Sequence, residues 1–473
     1  MKKLSLLIPF LFLLQPFITK AQFTDLHDFI DTGSVRNANG RNPFGTLIIS
    51  NGRLYGMTNE GGATGEGNVF SVDTNGNGYM DMHDFNITNG ANPYGSLLQA
   101  GNVLYGETYI GGANGDGTIF SIHTDGTGFK VLFNFSSASG ANSEGGALIL
   151  SGKKLFGMTA SAGGNGDGTI FSIDTNGNGF RDLFDFNGTN GQLAVNSLTL
   201  SGSILFGMTS FGGTHDTGCI FSVDTSGNKF KVLLNFDKTN GASPQGSLIL
   251  NNGKLYGMTQ VGGTHSVGRI FSIDTSGNNY SDLRDFSGAD GKNPFGSLIL
   301  KGGTLYGMTT LGGTSNNGTI FSIDTAGNGY NKLLDFNITN GKYPFGSLLL
   351  SGKKLYGMAS DGGANNFGLV FSLDTNTTSS INNITPITSS ISVYPNPSKG
   401  IFTIALGYPA VIARSQINVE VFNVLGEKVF SQLTMENGQL TINLTAQANG
   451  VYFYRVVSET GNLLGEGKII VQR

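Results

Sequence analysis

The chain has 473 residues, of which only 13% are charged, and its formal net charge is −4. No run rich in Lys and Arg occurs, which argues against a protein that binds nucleic acid or anionic membranes. A chain of this length is too long for one ordinary hydrophobic core, so we expect two domains. The 74 Gly residues recur at fixed positions between apolar runs, which indicates tight turns and not disorder.

The first 21 residues have the pattern of a secretory signal peptide. Lys2 and Lys3 precede an apolar run over residues 4–18, and Ala21 is a suitable cleavage position. No other stretch approaches the ~20 apolar residues that a membrane-spanning helix needs. We therefore predict an exported protein with no transmembrane segment after cleavage of residues 1–21.

One phrase recurs along the next 350 or so residues of the chain. It reads Leu-Tyr-Gly-Met-Thr followed by Gly-Gly, first at residues 54–62, and it or a close variant occurs seven times. Its aromatic residue is found at Tyr55, Tyr105, Phe156, Phe206, Tyr256, Tyr306 and Tyr356. The spacing is 50 residues with a single 51, and a period in this range predicts a repeat architecture.

Each repeat contains four short apolar runs of strand length. In the fifth repeat they cover residues 247–250, 254–259, 269–274 and 280–286. Short Asn- and Gly-rich links join the first run to the second and the third to the fourth, whereas the other two links are about twice as long. Four antiparallel strands per ~50 residues are typical of a propeller blade, so we predict an all-β, seven-bladed β-propeller over residues 22–375.

A displaced copy of the fourth run favours a closed ring. The first six repeats end this run in Phe, and the seventh lacks it. Residues 25–29 match residues 81–85 at all but one position, yet they precede the first repeat. We predict that this N-terminal strand completes the last blade and removes its open edge. A linear β-solenoid, the alternative, gives no reason for the displaced copy.

These motifs carry a resemblance over residues 23–375. The phrases Leu-Tyr-Gly-Met-Thr-x-x-Gly-Gly, Ile-Phe-Ser-Ile-Asp-Thr and Asn-Pro-x-Gly-Ser-Leu resemble the bacterial GloVer tandem repeat, and more loosely kelch blades. The resemblance implies a propeller and no particular reaction.

The pattern changes after a polar linker at residues 376–391. Residues 392–473 show alternating apolar strands separated by turns, which predict a small, immunoglobulin-like β-sandwich. The Tyr-Pro-Asn-Pro opening at residue 394, the Leu-Gly-Glu-Lys turn and the last Lys-containing strand resemble the type A C-terminal sorting domain of the type IX secretion system. The resemblance implies recognition by that machinery, removal of the domain, and release or anchoring at the surface of a Gram-negative bacterium.

Two patterns suggest chemistry in the repeats. Residues 73–78 with Asp81 and Asp84 have the spacing of a calcium loop, but five strand residues at ~3.3 Å each place Asp84 too far away to be the last ligand. Glu107 replaces the Met found at its position in the other six repeats. We interpret it as a solvated substitution in the central channel or, alternatively, as a functional acid.

The long links place sequence variety on one face of the ring, where we expect ligand-binding residues. The candidates are Glu60, Glu107, Tyr109, Phe211, His215, His265 and Asp361. No triad or metal cluster emerges, so we predict no catalytic residues, no metal and no cofactor.

Two functions remain open. Nearly equal blades favour a secreted or cell-surface recognition, adhesion or scaffold protein with a glycan or protein ligand. The alternative is an extracellular polysaccharide lyase or glycosidase that uses Glu107 with Tyr109, and acids such as Glu60 or Asp361.

Overall fold

The structure is a computed structural model, and it describes residues 22–30, 37–375, 391–406, 417–424, 427–432, 439–458 and 463–473. The predicted all-β fold is confirmed: in this part of the chain the one helix is a single 3-10 turn, Ile338–Asn340. None of the described helical structure is long enough to cross a bilayer. The predicted signal peptide and most of the linker lie outside the described residues. The chain divides into two compact units, Met1–Thr378 and Ser379–Arg473.

The strands of the first unit fall into four classes by their position in the repeat. First strands are Ile48–Ser50, Leu98–Ala100, Ile149–Ser151, Thr199–Ser201, Ile249–Asn251, Ile299–Lys301 and Leu349–Ser351. Second strands are Arg53–Gly62, Val103–Thr108, Lys154–Met158, Ile204–Thr209, Lys254–Thr259, Thr304–Thr309 and Lys354–Ala359. Third strands are Asn68–Asp73, Thr118–His123, Thr169–Asp174, Cys219–Asp224, Arg269–Asp274, Thr319–Asp324 and Leu369–Asp374. Fourth strands are Met80–Asp84, Lys130–Asn134, Arg181–Asp185, Lys231–Asn235, Ser281–Asp285, Asn331–Asp335 and Phe23–Asp28.

These strands form seven antiparallel sheets within the described part of the first unit. Each sheet runs in order from first to fourth strand, and the first sheet has one more strand, Asn37–Pro43. The seventh sheet takes its fourth strand from the N-terminal end: Phe23–Asp28 pairs with Leu369–Asp374, in a register that joins Phe23 to Leu373 and Asp28 to Leu369. The displaced copy therefore occupies the place that the sequence predicted for it.

Phenylalanine pairs join each sheet to the next. The Phe after each fourth strand meets a third-strand Phe of the following sheet edge-on, as in Phe85 with Phe120, where the ring centres are 5.1 Å apart. Phe29 and Phe70 repeat this contact at 5.2 Å between the seventh and the first sheet. The hydrophobic clusters consequently follow one another in a closed cycle around the sheets, which supports the predicted seven blades.

A ring of hydrogen bonds joins the sheets at the centre. We call it the hydroxyl ring, and its accepting hydroxyls belong to Thr46, Ser96, Ser197, Ser247, Ser297 and Ser347. In six of the seven sheets, the residue two positions before the first strand donates its N–H to the hydroxyl of the equivalent Ser or Thr in the next sheet, as Thr46 does to Ser96 at 2.8 Å. Ser347 donates to Thr46 at 3.0 Å and closes the ring. The third sheet has Ala147 at this position, and there Ser96 donates instead to the carbonyl of Gly146 at 3.2 Å.

The second unit contains two sheets over one core. One comprises Ile391–Tyr394, Ile401–Leu406 and Gln439–Asn443, and the other comprises Lys428–Gln432, Ile417–Phe422, Gly450–Ser458 and Leu463–Val471. Both sheets contribute to a single cluster of buried side chains, including Phe402 and Ile442 from one and Val421 and Tyr454 from the other. This arrangement supports the predicted β-sandwich.

The Tyr-Pro-Asn-Pro segment lies along the last strand. Asn396 accepts a hydrogen bond from the Ile470 N–H and donates one to the Lys468 carbonyl, each at 2.9 Å. Ser398 continues the contact through backbone hydrogen bonds with Ile470 and Gln472. The asparagine amide thus pairs the outer edge of this strand, as a neighbouring strand would.

Candidate functional site

The first unit has two different faces. On one face, which we call the turn face, the two tight turns of a sheet are joined by hydrogen bonds. In the first sheet, for example, the Thr74 N–H donates to the Gly52 carbonyl at 3.1 Å. On the other, the two longer links of each repeat are paired, as Ala91 is with Ile110 through hydrogen bonds of 2.8 and 3.2 Å. We call this second side the loop face.

Aromatic side chains meet at the centre of the loop face. Phe44 stacks on Phe345 with ring centres 4.2 Å apart and planes 11° from parallel. Tyr94 contacts Phe44 edge-on at 5.0 Å, and Phe295 contacts both Phe44 and Phe345 edge-on at 5.6 and 5.3 Å. These four residues, the aromatic cluster, come from the sixth, seventh, first and second sheets, and all remain partly exposed.

The space beneath the cluster is narrow. A cavity of about 30 Å³ at the ring centre is lined by the aromatic cluster and by Gly and Ser residues of the hydroxyl ring. The sheets approach so closely here that a Cβ atom on Gly45 would lie 1.9 Å from the Gly95 carbonyl oxygen. A cavity of this size holds about one water molecule, so the centre of the ring is closed to larger ligands.

Glu107 is buried and does not reach the surface. It is 4% exposed and lies beside the Ser143 side chain of the third sheet, while its Oε1 has no hydrogen-bond partner among the described residues. Burial raises the pKa of Glu107 to about 8, so it is protonated at neutral pH. The expectation of a solvated side chain in the central channel was wrong, because the side chain occupies the buried position that Met takes in the other sheets.

Tyr109 lies near the aromatic cluster, two residues after Glu107. Its ring meets Tyr94 edge-on at 5.3 Å. Burial, the Glu144 carboxyl and Tyr94 together raise the pKa of the Tyr109 hydroxyl. Burial also raises the pKa of Glu144 itself. The structure therefore brings Tyr109 to the edge of the cluster, whereas Glu107 points into the protein.

Glu60 and Asp361 lie at equivalent positions of the first and seventh sheets, and each has a basic neighbour. Glu60 forms an ion pair with Arg41 at 3.0 Å. Asp361 exchanges two backbone hydrogen bonds with Lys342, of 2.8 and 3.2 Å, and the Lys342 ammonium lies 5.3 Å from the ring centre of Tyr343. The charges at this part of the loop face are therefore close to balanced.

The other three candidates lie apart. Phe211 occupies the same repeat position as Glu60 in the fourth sheet and is 41% exposed. His215 and His265 are exposed at equivalent loop tips of the fourth and fifth sheets. The tip before His215 is held to the fourth strand by a hydrogen bond of 3.0 Å from Thr214 to Asn235, which places it over the outer part of the sheet.

Carboxylate pairs recur on the fourth strands. Burial, and then the neighbouring Asp84 or Asp28, raises the pKa of Asp81 and of Asp25. In the fifth sheet the corresponding pair, Asp282 and Asp285, is bridged by the buried guanidinium of Arg269 at 3.0 and 2.6 Å. Within the described residues no three His, Cys, Asp or Glu side chains are grouped so that they could hold a metal ion.

Sequence reasoning missed the aromatic cluster. Its signal was present in the repeated Asn-Pro-x-Gly-Ser phrase, whose variable position is aromatic in four repeats that are consecutive around the ring. The other three repeats carry Glu144, Val195 and Gln245 at or near this position. The repeat pattern by itself shows only that this position varies, because the meeting point of the four rings depends on ring closure.

Two families match the chain. The Gloeobacter/Verrucomicrobia repeat matches residues 11–157, 98–264 and 201–402. The secretion system C-terminal sorting domain matches residues 392–472, which indicates that the protein is secreted or exposed at the cell surface and interacts with the secretion machinery. No curated protein matches the chain significantly.

Solved structures share the fold. The extracellular domain of a B. thetaiotaomicron protein described as a one-component system has a TM-score of 0.50 at 12% identity, and the match covers 95% of this chain and 58% of that one. An oligogalacturonate lyase in complex with manganese has the same TM-score and identity, over 75% of this chain and 98% of that one. Both likenesses are to the fold alone. The matched repeats extend over most of the sequence, and the chain therefore belongs to the Gloeobacter/Verrucomicrobia repeat family and carries a secretion system C-terminal sorting domain.

Proposed function

We propose that the protein is a recognition or adhesion protein at the outer surface of a Gram-negative bacterium, and that its ligand binds to the loop face. The difference between the two faces carries this proposal. The turns after the third strands read Asp-Thr-x-Gly-Asn in five of the first six repeats. By contrast, the loop-face position of Glu60 holds Ile110, Ser161, Phe211, Val261, Leu311 and Asp361 in the other repeats.

The frame beneath the loop face suits a binding surface. The hydroxyl ring and the phenylalanine pairs hold the sheets rigidly, so the loops are presented without a large ordering cost on binding. Variable side chains on a rigid scaffold are the usual arrangement in recognition proteins.

The enzyme alternative has weaker support. An oligogalacturonate lyase has this fold, so the fold does not distinguish the two functions. The acid on which the alternative depended, Glu107, is only 4% exposed, whereas a catalytic acid must contact its substrate.

A binding experiment with the full-length protein tests the proposal. The protein is applied to glycan and protein arrays, together with Leu311→Glu and Ile110→Glu on the loop face and Asn75→Glu on the turn face. We expect a bound ligand whose affinity falls in both loop-face variants and is unchanged in Asn75→Glu. Turnover in reducing-sugar or unsaturated-product assays that is lost in Glu107→Gln would overturn the proposal in favour of an enzyme.

A further inference from the structure

The rings of the aromatic cluster are more exposed to solvent than the phenylalanines that pack between the sheets. The phenylalanines between the sheets, such as Phe70 and Phe85, are 0% exposed. Phe44, Phe295 and Phe345 stack or meet edge-on in the same kinds of geometry, yet all stay partly exposed. A group of aromatic rings held at the surface marks an interaction site more often than a structural one.

The cluster forms a shallow platform and not a pocket. The cavity below it measures only about 30 Å³, and the hydroxyl ring fixes its floor. A ligand must therefore lie across the rings. A peptide of extended or helical form needs recesses for its side chains, and the cavity beneath the cluster is too small to hold one.

The rim of the platform is polar but nearly neutral. Arg41 is paired with Glu60 at 3.0 Å, and Lys342 lies beside Asp361 in a backbone-paired position. Such groups can donate hydrogen bonds to hydroxyls and accept them. Because each of these two bases lies beside an acid, the two pairs do not favour a ligand with a large charge of either sign.

We propose that the aromatic cluster binds an uncharged polysaccharide, whose sugar rings place their C–H groups against the exposed parts of Phe44 and Phe345. The hydrogen atoms of sugar C–H bonds carry a small positive charge, and the face of an aromatic ring is negative, so the sugar and the ring attract each other. Both also bury apolar surface away from water. The sugar hydroxyls then meet the charged pairs at the rim. This inference rests on the proposed role of the loop face in recognition and names its ligand class.

The test uses the full-length protein and soluble polysaccharides in affinity electrophoresis. The uncharged probes are dextran, a mixed-linkage β-glucan and a galactomannan, and polygalacturonate is the anionic probe. We expect retardation by at least one uncharged probe, and a loss of affinity of about tenfold or more in Phe44→Ala and in Phe345→Ala. Phe345→Tyr should bind as the unchanged protein does, since this substitution keeps the aromatic ring. Phe453→Ala is the matched control, because it removes an exposed phenylalanine of the sorting unit, outside the loop face.

Three results would overturn the inference. Binding confined to polygalacturonate and lost in Lys342→Ala would show an anionic ligand. A peptide or protein ligand found on the arrays, with no retardation by uncharged probes, would replace the ligand class and leave the loop-face proposal intact. Binding that Leu311→Glu abolishes but Phe44→Ala leaves unchanged would place the ligand elsewhere on the same face. If no loop-face variant affected any binding, the proposed function itself would fail.

Discussion

Glu107, which is 4% exposed, and Ser143 lie together at the junction of the second and third sheets. The Ser143 hydroxyl also lies 3.4 Å from the Met158 carbonyl, to which it donates. The Ser143 hydroxyl lowers the pKa of the Glu107 carboxyl, which means that it favours the carboxylate, but burial raises that pKa by more. Both residues depart from the repeat, in which six copies have Met and five have Pro.

The burial of Glu107 makes stability depend on pH. The pKa of Glu107 rises from 4.5 in the unfolded chain to about 8 in the folded protein. The stability that depends on a protonated Glu107 is therefore fully present below pH 4.5 and is lost as the pH increases through about 8. We expect the free energy of unfolding to fall between pH 5 and pH 9, by on the order of 4 kcal/mol from this group. Glu107→Gln, which cannot ionise, should show a much smaller fall in urea denaturation. An equal slope in both proteins would contradict the assignment.

The glycine of the repeated Leu-Tyr-Gly-Met phrase is required for packing. A Cβ atom on Gly257 would lie 2.6 Å from Phe271 Cζ and 3.1 Å from Leu248 Cδ2, inside the sheet. Gly257→Ala should therefore destabilise the protein by about 1–3 kcal/mol, because the phenylalanine must move. Gly253→Asn is the control: space around this turn is open, and Asn tolerates its positive φ of 77°. Equal unfolding midpoints for all three proteins would count against this explanation.

Closure of the ring depends on Phe29. This residue is 0% exposed and meets Phe70 of the first sheet, although it belongs to the strand that completes the seventh. Phe29→Ala should reduce the free energy of unfolding by about 3–5 kcal/mol. The neighbouring Ile30 is 40% exposed, so Ile30→Ala should have little effect. A loss below 1 kcal/mol in Phe29→Ala would show that the ring does not need this contact.

Asn396 should protect the last strand of the sorting unit. Asn396→Ala leaves the Ile470 N–H and the Lys468 carbonyl without their partner at the strand edge. We expect hydrogen exchange at the Ile470 amide to become at least about tenfold faster, which corresponds to roughly 1.4 kcal/mol. Gln432→Ala, at an exposed strand end, provides the control. Unchanged exchange at Ile470 would mean that the edge is protected by other groups.

The sequence by itself determined the repeat, its four strands and the displaced strand at residues 25–29, because hydrophobic runs and turn residues act locally and recur with the period. It also identified the sorting unit. The depth of Glu107 and the outer position of His215 and His265 were not predictable, since a repeat pattern shows which positions are equivalent and not which way each side chain points. Phe44 and Phe345 are far apart in the chain and come together only when the seventh sheet meets the first. The aromatic cluster is thus a product of ring closure, and contacts of this kind are decided by tertiary structure alone.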